Sequence, residues 1–158
     1  MSAVAVVTVV GAGCGGSGGE ELSRDAQVYV AAIRDVLTEE PPPEDPDMLP
    51  VVYVVGVGEE RIPADVQADV AAELHDDADV RFADERSEAV LKDEADAPVR
   101  DDGLLLAVGA LAPEGDPVVL EVEVYRSDVD WSNLVLTIEG GTSQWTVTST
   151  SVLPAAET

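Results

Sequence analysis

The sequence predicts an α+β domain in which two helices pack on a mixed sheet that ends in an antiparallel meander. Three observations support this fold class. Apolar residues recur at helical spacing in two segments, a strand, a helix and a strand follow one another in the middle of the chain, and strand-like runs fill the last third. With 158 residues, 46% of them hydrophobic but only 4% aromatic, the chain can form one domain with an aliphatic core.

The first helix is predicted from apolar residues that repeat every three or four positions and so share one face. These residues are Leu22, Ala26, Val30, Ile33 and Leu37. Pro41 and the two prolines after it end the helix, because proline lacks an amide donor and restricts the residue before it. The stretch 39–50 is therefore expected to be a stiff acidic loop.

A strand, a helix and a second strand are predicted next. Residues 51–57 form a β-branched run typical of a strand covered on both faces. Pro63 favours a helix start, and apolar residues at every fourth position predict a helix over 63–75. Residues 80–83 supply the second strand. This order favours a crossover connection with the two strands parallel.

The C-terminal part is predicted to be an antiparallel meander. Residues 84–102 are mostly polar and indicate a helical turn with a mobile connection. Strands are then expected over 104–111, 118–126 and 134–139, followed by a turn at Gly140 and Gly141 and a return strand from Trp145. Alternation buries one face of this meander and leaves the other, with Glu121, Glu123 and Tyr125, facing water.

The charge balance excludes one class of partner. Asp and Glu number 33 against 8 Lys and Arg, which gives a formal net charge of -25. Nucleic acids are bound through cationic contacts to phosphate, so no nucleic-acid partner is expected. The acidic residues are spread along the chain and indicate a solvated coat, a composition that resembles proteins of halophiles and of high-GC actinobacteria.

The N-terminus carries the most specific motif. An apolar run leads into Gly11-Ala12-Gly13-Cys14, and a Gly/Ser-rich stretch follows the only cysteine of the chain. This order resembles the lipobox of prokaryotic lipoproteins. The resemblance implies a signal peptide over 1–13, a lipidated Cys14 with a flexible tether over 14–21, a single domain over 22–153 and a tail over 154–158. It also implies a lipid-anchored protein of the cell envelope that faces outside the cytoplasm.

Two other interpretations of this segment remain open. Residues 4–10 can be a buried strand before a glycine-rich turn, in which case the protein is a soluble, acidic, halophile-type cytoplasmic protein. Gly11, Gly13 and Gly16 also match the G-x-G-x-x-G pattern of dinucleotide-binding folds. That motif requires a helix at the last glycine, whereas residues 17–21 are Ser, Gly, Gly, Glu and Glu, and the two glutamates would oppose a phosphate.

A calcium site is the metal site that the sequence favours. Counted from Asp128 as position 1, Asp130, Ser132 and Glu139 occupy positions 3, 5 and 12 of an EF-hand-like loop. Asn133 stands where that loop needs glycine, and the residues before Glu139 have a strand pattern. The alternative is that these are solvated acidic residues of a loop.

The remaining candidate residues favour a noncatalytic function. His75, the only histidine, is expected at the surface near a helix end. Trp145 is expected in the core, and Trp131 is the candidate for an exposed contact. The sequence therefore predicts a binding or interaction module without a cofactor, held at the membrane by lipid. The alternative is a hydrolase that uses loop carboxylates and a metal ion.

Overall fold

A computed structural model describes residues 21–58, 61–142 and 144–154. The described residues form three α-helices, one short 3-10 turn and six strands. The helices are α1 (Arg24–Glu39), α2 (Ala64–Glu73) and α3 (Arg86–Ala89), and the 3-10 turn covers Arg100–Asp102. The strands are β1 (Val51–Gly56), β2 (Asp79–Phe82), β3 (Leu104–Val108), β4 (Val118–Ser127), β5 (Asp130–Gly140) and β6 (Trp145–Leu153).

All six strands belong to one mixed sheet with the order β2-β1-β3-β4-β5-β6. Strand β1 pairs in parallel with β2 and with β3. Strands β3 to β6 pair antiparallel, each with the next along the chain. The predicted fold class is therefore confirmed, including the parallel strand pair around α2 and the closing meander.

The main core lies between the sheet and the two longer helices. Helix α1 begins after Ser23, whose hydroxyl accepts a hydrogen bond from the amide of Ala26 (3.2 Å). Its apolar face packs on β5 and β6, and the main core includes the fully buried Leu120, Leu136 and Ile138. The core is almost wholly aliphatic, as the composition predicts.

A second, smaller core lies on the opposite face of the sheet, where the sequence predicted exposure. Tyr125 was expected to face water, but it is buried together with Tyr53 and Leu105. This face is covered by the segment 86–102, which was predicted to be a helical turn with a mobile connection. It lies across this face through Ala89 and through an antiparallel bridge between Val90 and its partner at position 99. The wet face of the meander is therefore smaller than predicted, although it still includes Val119 and Glu121 of β4.

The two edges of the sheet differ in length and charge. Edge strand β2 has four residues, of which Asp79 and Arg81 are charged. Edge strand β6 has nine residues, contains no charged residue and no proline, and lies in the uncharged stretch 140–156. Short, charged edges resist pairing with another chain, whereas long uncharged edges permit it. No described helix has the length and apolar character needed to cross a membrane.

Candidate functional site

The candidate site is the free edge of β6 together with the helix beside it. Helix α1 packs along β6, and two contacts mark the ends of the shared stretch. The Arg24 guanidinium lies 5.4 Å from the centre of the Trp145 ring, and the hydroxyl of Thr150 donates to the carboxylate of Asp35 (3.0 Å). The strand and the helix therefore run side by side over residues 145–150.

A groove of about 420 Å³ opens between α1 and the start of β6. Its apolar wall includes Val30 and Ala31 from the helix. Strand residues Trp145, Thr146 and Val147 line the other side. Adjacent strand residues point to opposite faces of a sheet. A groove that all three residues line therefore contacts the backbone of the strand as well as side chains on one face.

The hydrogen-bond pattern of the hairpin shows which backbone groups of β6 point outward. The amide of Gly141 donates to the carbonyl of Gln144 (2.8 Å) and closes the hairpin, and the next pair is Gly140 with Trp145. Antiparallel pairs alternate between bonded and non-bonded. Trp145, and then Val147, therefore direct their N–H and C=O groups away from β5.

Backbone and side chains of the same residues thus face the groove. Trp145 and Val147 lie on the helix side of the sheet, where Val147 pairs with the buried Ile138. The β5–β6 register shifts between Thr137 and Ile138, which is a β-bulge. Beyond it, Thr150 pairs with Leu136 and returns to the helix side. An extended segment laid along β6 would find unpaired backbone groups beside an apolar groove.

Carboxylates outnumber cations around the groove. Glu21, Asp35 and Glu73 line it with one cation, Arg34. The Arg34 guanidinium already pairs with the carboxylates of Glu73 (3.3 Å) and Asp77 (2.9 Å). Within the described ranges, Asp35 has no cation at ion-pair distance. The groove therefore carries an excess of negative charge.

The structure does not bring the four predicted calcium ligands together. Asp128 lies in the β4–β5 turn, whereas Asp130, Ser132 and Glu139 lie along the extended strand β5. Asp130 and Glu139 are nine positions apart along the strand, a distance of about 30 Å at roughly 3.3 Å per residue. Across the described ranges, no three His, Cys, Asp or Glu side chains are grouped so that they could share a metal ion.

These acidic side chains have other partners. The Asp128 carboxylate lies 2.8 Å from the Tyr125 hydroxyl. The carboxylate of Asp130 pairs with Arg126 (3.2 Å), and Glu139 accepts from the Thr148 hydroxyl (3.3 Å). The geometry therefore gives the calcium hypothesis no common ligand position.

The other candidate residues lie at separate places. His75 is exposed just after α2, with its Nδ1 atom 2.7 Å from the carbonyl oxygen of Ala72. Trp131 is 45% exposed at the start of β5, as predicted. Trp145 is half-buried and packs against the main core. Cys14 and the lipobox lie outside the described residues.

Two charged networks at the surface tie the small core to the sheet. In the first, the Arg81 guanidinium donates to Asp79 and Asp101 (2.6 Å each) and to the Tyr53 hydroxyl (3.0 Å). Hydrogen bonds from Tyr53 and Arg81 lower the pKa of Asp101, and burial followed by the bond to Asp101 raises the pKa of Tyr53. Every charged group here has an opposite partner, so the network fits a structural role.

The second network surrounds Tyr125. The Arg86 guanidinium stacks on the Tyr125 ring, 3.9 Å from its centre, and pairs with Glu123. Burial, followed by the hydrogen bond to Asp128, raises the pKa of Tyr125. This network fastens α3, through Arg86, over the small core, and it lies away from the groove.

The groove was not predicted from the sequence. Part of the signal was available, because residues 140–156 are free of charge in a chain with one charged residue in four. Their position at a sheet edge beside α1 depends on the strand order, which the pattern of apolar residues does not contain.

Comparisons with known proteins found no relative of this chain. The chain matches no protein-family model, no curated protein and no solved structure.

Proposed function

We propose that the protein is a noncatalytic interaction module of the prokaryotic cell envelope, attached to the membrane by lipid on Cys14, which binds an extended segment of a partner along β6. The observation that carries the binding proposal is the uncharged edge of β6, whose outward backbone groups lie beside a groove. Adding a strand to such an edge is a common mode of peptide recognition.

The geometry supports a binding function more than a catalytic one. The groups with shifted pKa values, such as Tyr53 and Asp101, belong to surface networks in which each is paired. The carboxylates that a metal-assisted hydrolase would use are spread along β5 and its turn. The groove offers apolar surface and backbone hydrogen bonds, which bind an extended chain without any chemical step.

The anchor is supported by the sequence and can be tested separately. The intact mass of the protein from its own cells should correspond to a chain that begins at Cys14 and carries acyl groups. An unmodified chain that retains residues 1–13 would contradict the anchor and favour the soluble, acidic cytoplasmic protein. That result would leave the binding proposal for β6 in place.

The binding proposal is tested by a single backbone group. Val147→Pro removes the outward N–H of β6 but no hydrogen bond to β5, and proline is tolerated on edge strands. Val147→Thr keeps the N–H and the branched shape. We expect partner capture from detergent extracts to be lost with Val147→Pro and retained with Val147→Thr, while both variants unfold cooperatively. Equal capture by both variants would refute strand addition at this edge.

A further inference from the structure

We infer that the occupant of the groove is an extended, cationic segment of a different protein, with an apolar side chain against Trp145 and a Lys or Arg four residues away beside Asp35. This inference depends on the proposed function, because it names the chemistry of the segment that β6 would bind.

The apolar position follows from the wall of the groove. A strand added to β6 directs every second side chain to the helix side of the sheet. Next to Trp145 and Val147, that side chain would enter the space bounded by Val30 and Ala31. A branched or aromatic side chain would bury its surface there, whereas a charged one would lose its hydration.

The cationic position follows from the charges that line the groove. Arg34 is engaged by Glu73 and Asp77, so it does not neutralise Asp35. The carboxylate of Asp35 accepts a hydrogen bond from the hydroxyl of Thr150, which holds this carboxylate next to the strand edge. A Lys or Arg of the bound segment would supply the missing positive charge at this point.

The spacing follows from the register of β6. Trp145 and Thr150 both lie on the helix side, because the bulge between them adds one residue to the strand. A regular strand covers the same distance with four residues, and residues i and i+4 of a strand point to the same face. The expected pattern is therefore an apolar residue and a cation separated by three residues, in either direction along the segment.

The charge of the chain disfavours a second copy as the occupant. Each copy carries a formal net charge of -25. Pairing of β6 with β6 of another copy would also bring two grooves with excess carboxylates near each other, at a cost that low salt would increase. A cationic segment gains from the same field that repels another copy.

The test uses the full-length chain with Trp131→Phe, so that Trp145 is the only tryptophan. The probes are nine-residue peptides of alternating valine and threonine, with an apolar residue at position i. One carries lysine at i+4, one carries glutamate at i+4, and one carries lysine at i+3, on the opposite face. We expect Trp145 fluorescence to change on titration. The first peptide should bind about two- to fivefold more tightly than the peptide with lysine at i+3, and at least about tenfold more tightly than the glutamate peptide, which the carboxylates also repel.

A matched pair of variants tests the role of Asp35. Asp35→Asn should weaken binding of the i+4 lysine peptide about two- to fivefold, as for an exposed ion pair. Asp93→Asn, which removes an exposed charge from the opposite side of the sheet, should leave that affinity unchanged. A lysine preference that Asp35→Asn and Asp93→Asn alter equally would overturn the assignment of the cationic position.

Two further peptides separate this inference from the function on which it rests. One peptide is N-methylated at its odd-numbered residues and the other at its even-numbered residues. If the peptide pairs with β6, just one of these two peptides should lose binding. If just one of the two methylated peptides loses binding but lysine at i+4 brings no gain in affinity, the inference is overturned and the proposed function is left intact. No binding by any peptide, with a dimer in light scattering that Val147→Pro dissolves, would instead assign the edge to a second copy. No binding and no dimer would contradict both.

Discussion

Removal of the Tyr125 hydroxyl tests the energetics of the small core. Tyr125→Phe keeps the ring and its contact with Arg86 but removes an oxygen that lies 2.8 Å from both the Ala97 carbonyl and the Asp128 carboxylate. The hydroxyl has one proton and donates to one of these acceptors at a time. We therefore expect the loss of one hydrogen bond from a buried position.

The magnitude follows from the surroundings. A net intramolecular hydrogen bond contributes about 0.5–1.5 kcal/mol, and more when an acceptor is charged and buried. Asp128 is exposed and regains water in the variant, so Tyr125→Phe should lower the free energy of unfolding by about 1 kcal/mol. Tyr125→Ala also removes the ring, which is 3% exposed, and should cost about 3–5 kcal/mol.

The assay is urea unfolding of both variants at neutral and at alkaline pH. The folded pKa of Tyr125 is raised above its unfolded value of about 10. The stability that the protonated hydroxyl of Tyr125 contributes is therefore complete below about pH 10 and declines as the pH rises through the folded pKa. Tyr125→Phe should lack this alkaline decline. Equal losses for the Phe and Ala variants, or a Phe variant as stable as the wild type, would refute the reasoning.

Three further predictions concern the core, the surface network and the charge. Leu120→Ala should lower the free energy of unfolding by about 2–5 kcal/mol in urea, because Leu120 is fully buried in the main core; a loss below about 1 kcal/mol would contradict that packing. Asp101 has a lowered pKa, so its contribution is present above its unfolded pKa and is lost as the pH falls through the folded value. As the pH falls, Asp101→Asn should therefore lose less of its free energy of unfolding than the wild type does. An equal loss in both proteins would count against the Tyr53–Arg81 network. Sodium chloride should raise the Tm of the wild type, because it screens the repulsion that arises from a net charge of -25. A Tm that falls with added salt would show that attraction within ion pairs outweighs this repulsion.

The predicted parts of the fold are those that apolar periodicity determines. The repeat from Leu22 to Leu37 predicted α1, and the β-branched run from Val51 predicted a buried strand that is parallel to β2. The parallel pairing of β1 with β3 was not predicted. Both signals are local, since a helix face or a buried strand must be apolar wherever it packs. The parallel pairing of β1 with β2 followed from the helix between the two strands.

The missed parts depend on contacts between distant residues. The burial of Tyr125 is produced by a segment more than 20 residues earlier, whose few apolar residues gave no periodic signal. The strand 104–111 was predicted too long, because pairing with β1 and β4 stops at Val108. The groove beside β6 likewise exists only because α1, at the other end of the chain, packs along the last strand.

Site-specific photo-cross-linking in the native cells tests the central claim, that β6 binds an extended partner, most directly. A photoreactive amino acid at Thr146 on β6 is compared with one at Glu121, which is exposed on the inner strand β4. We expect a discrete cross-linked partner from position 146 and none from position 121. Cross-links of equal yield from both positions, or from position 121 alone, would contradict the assignment of β6 as the binding edge.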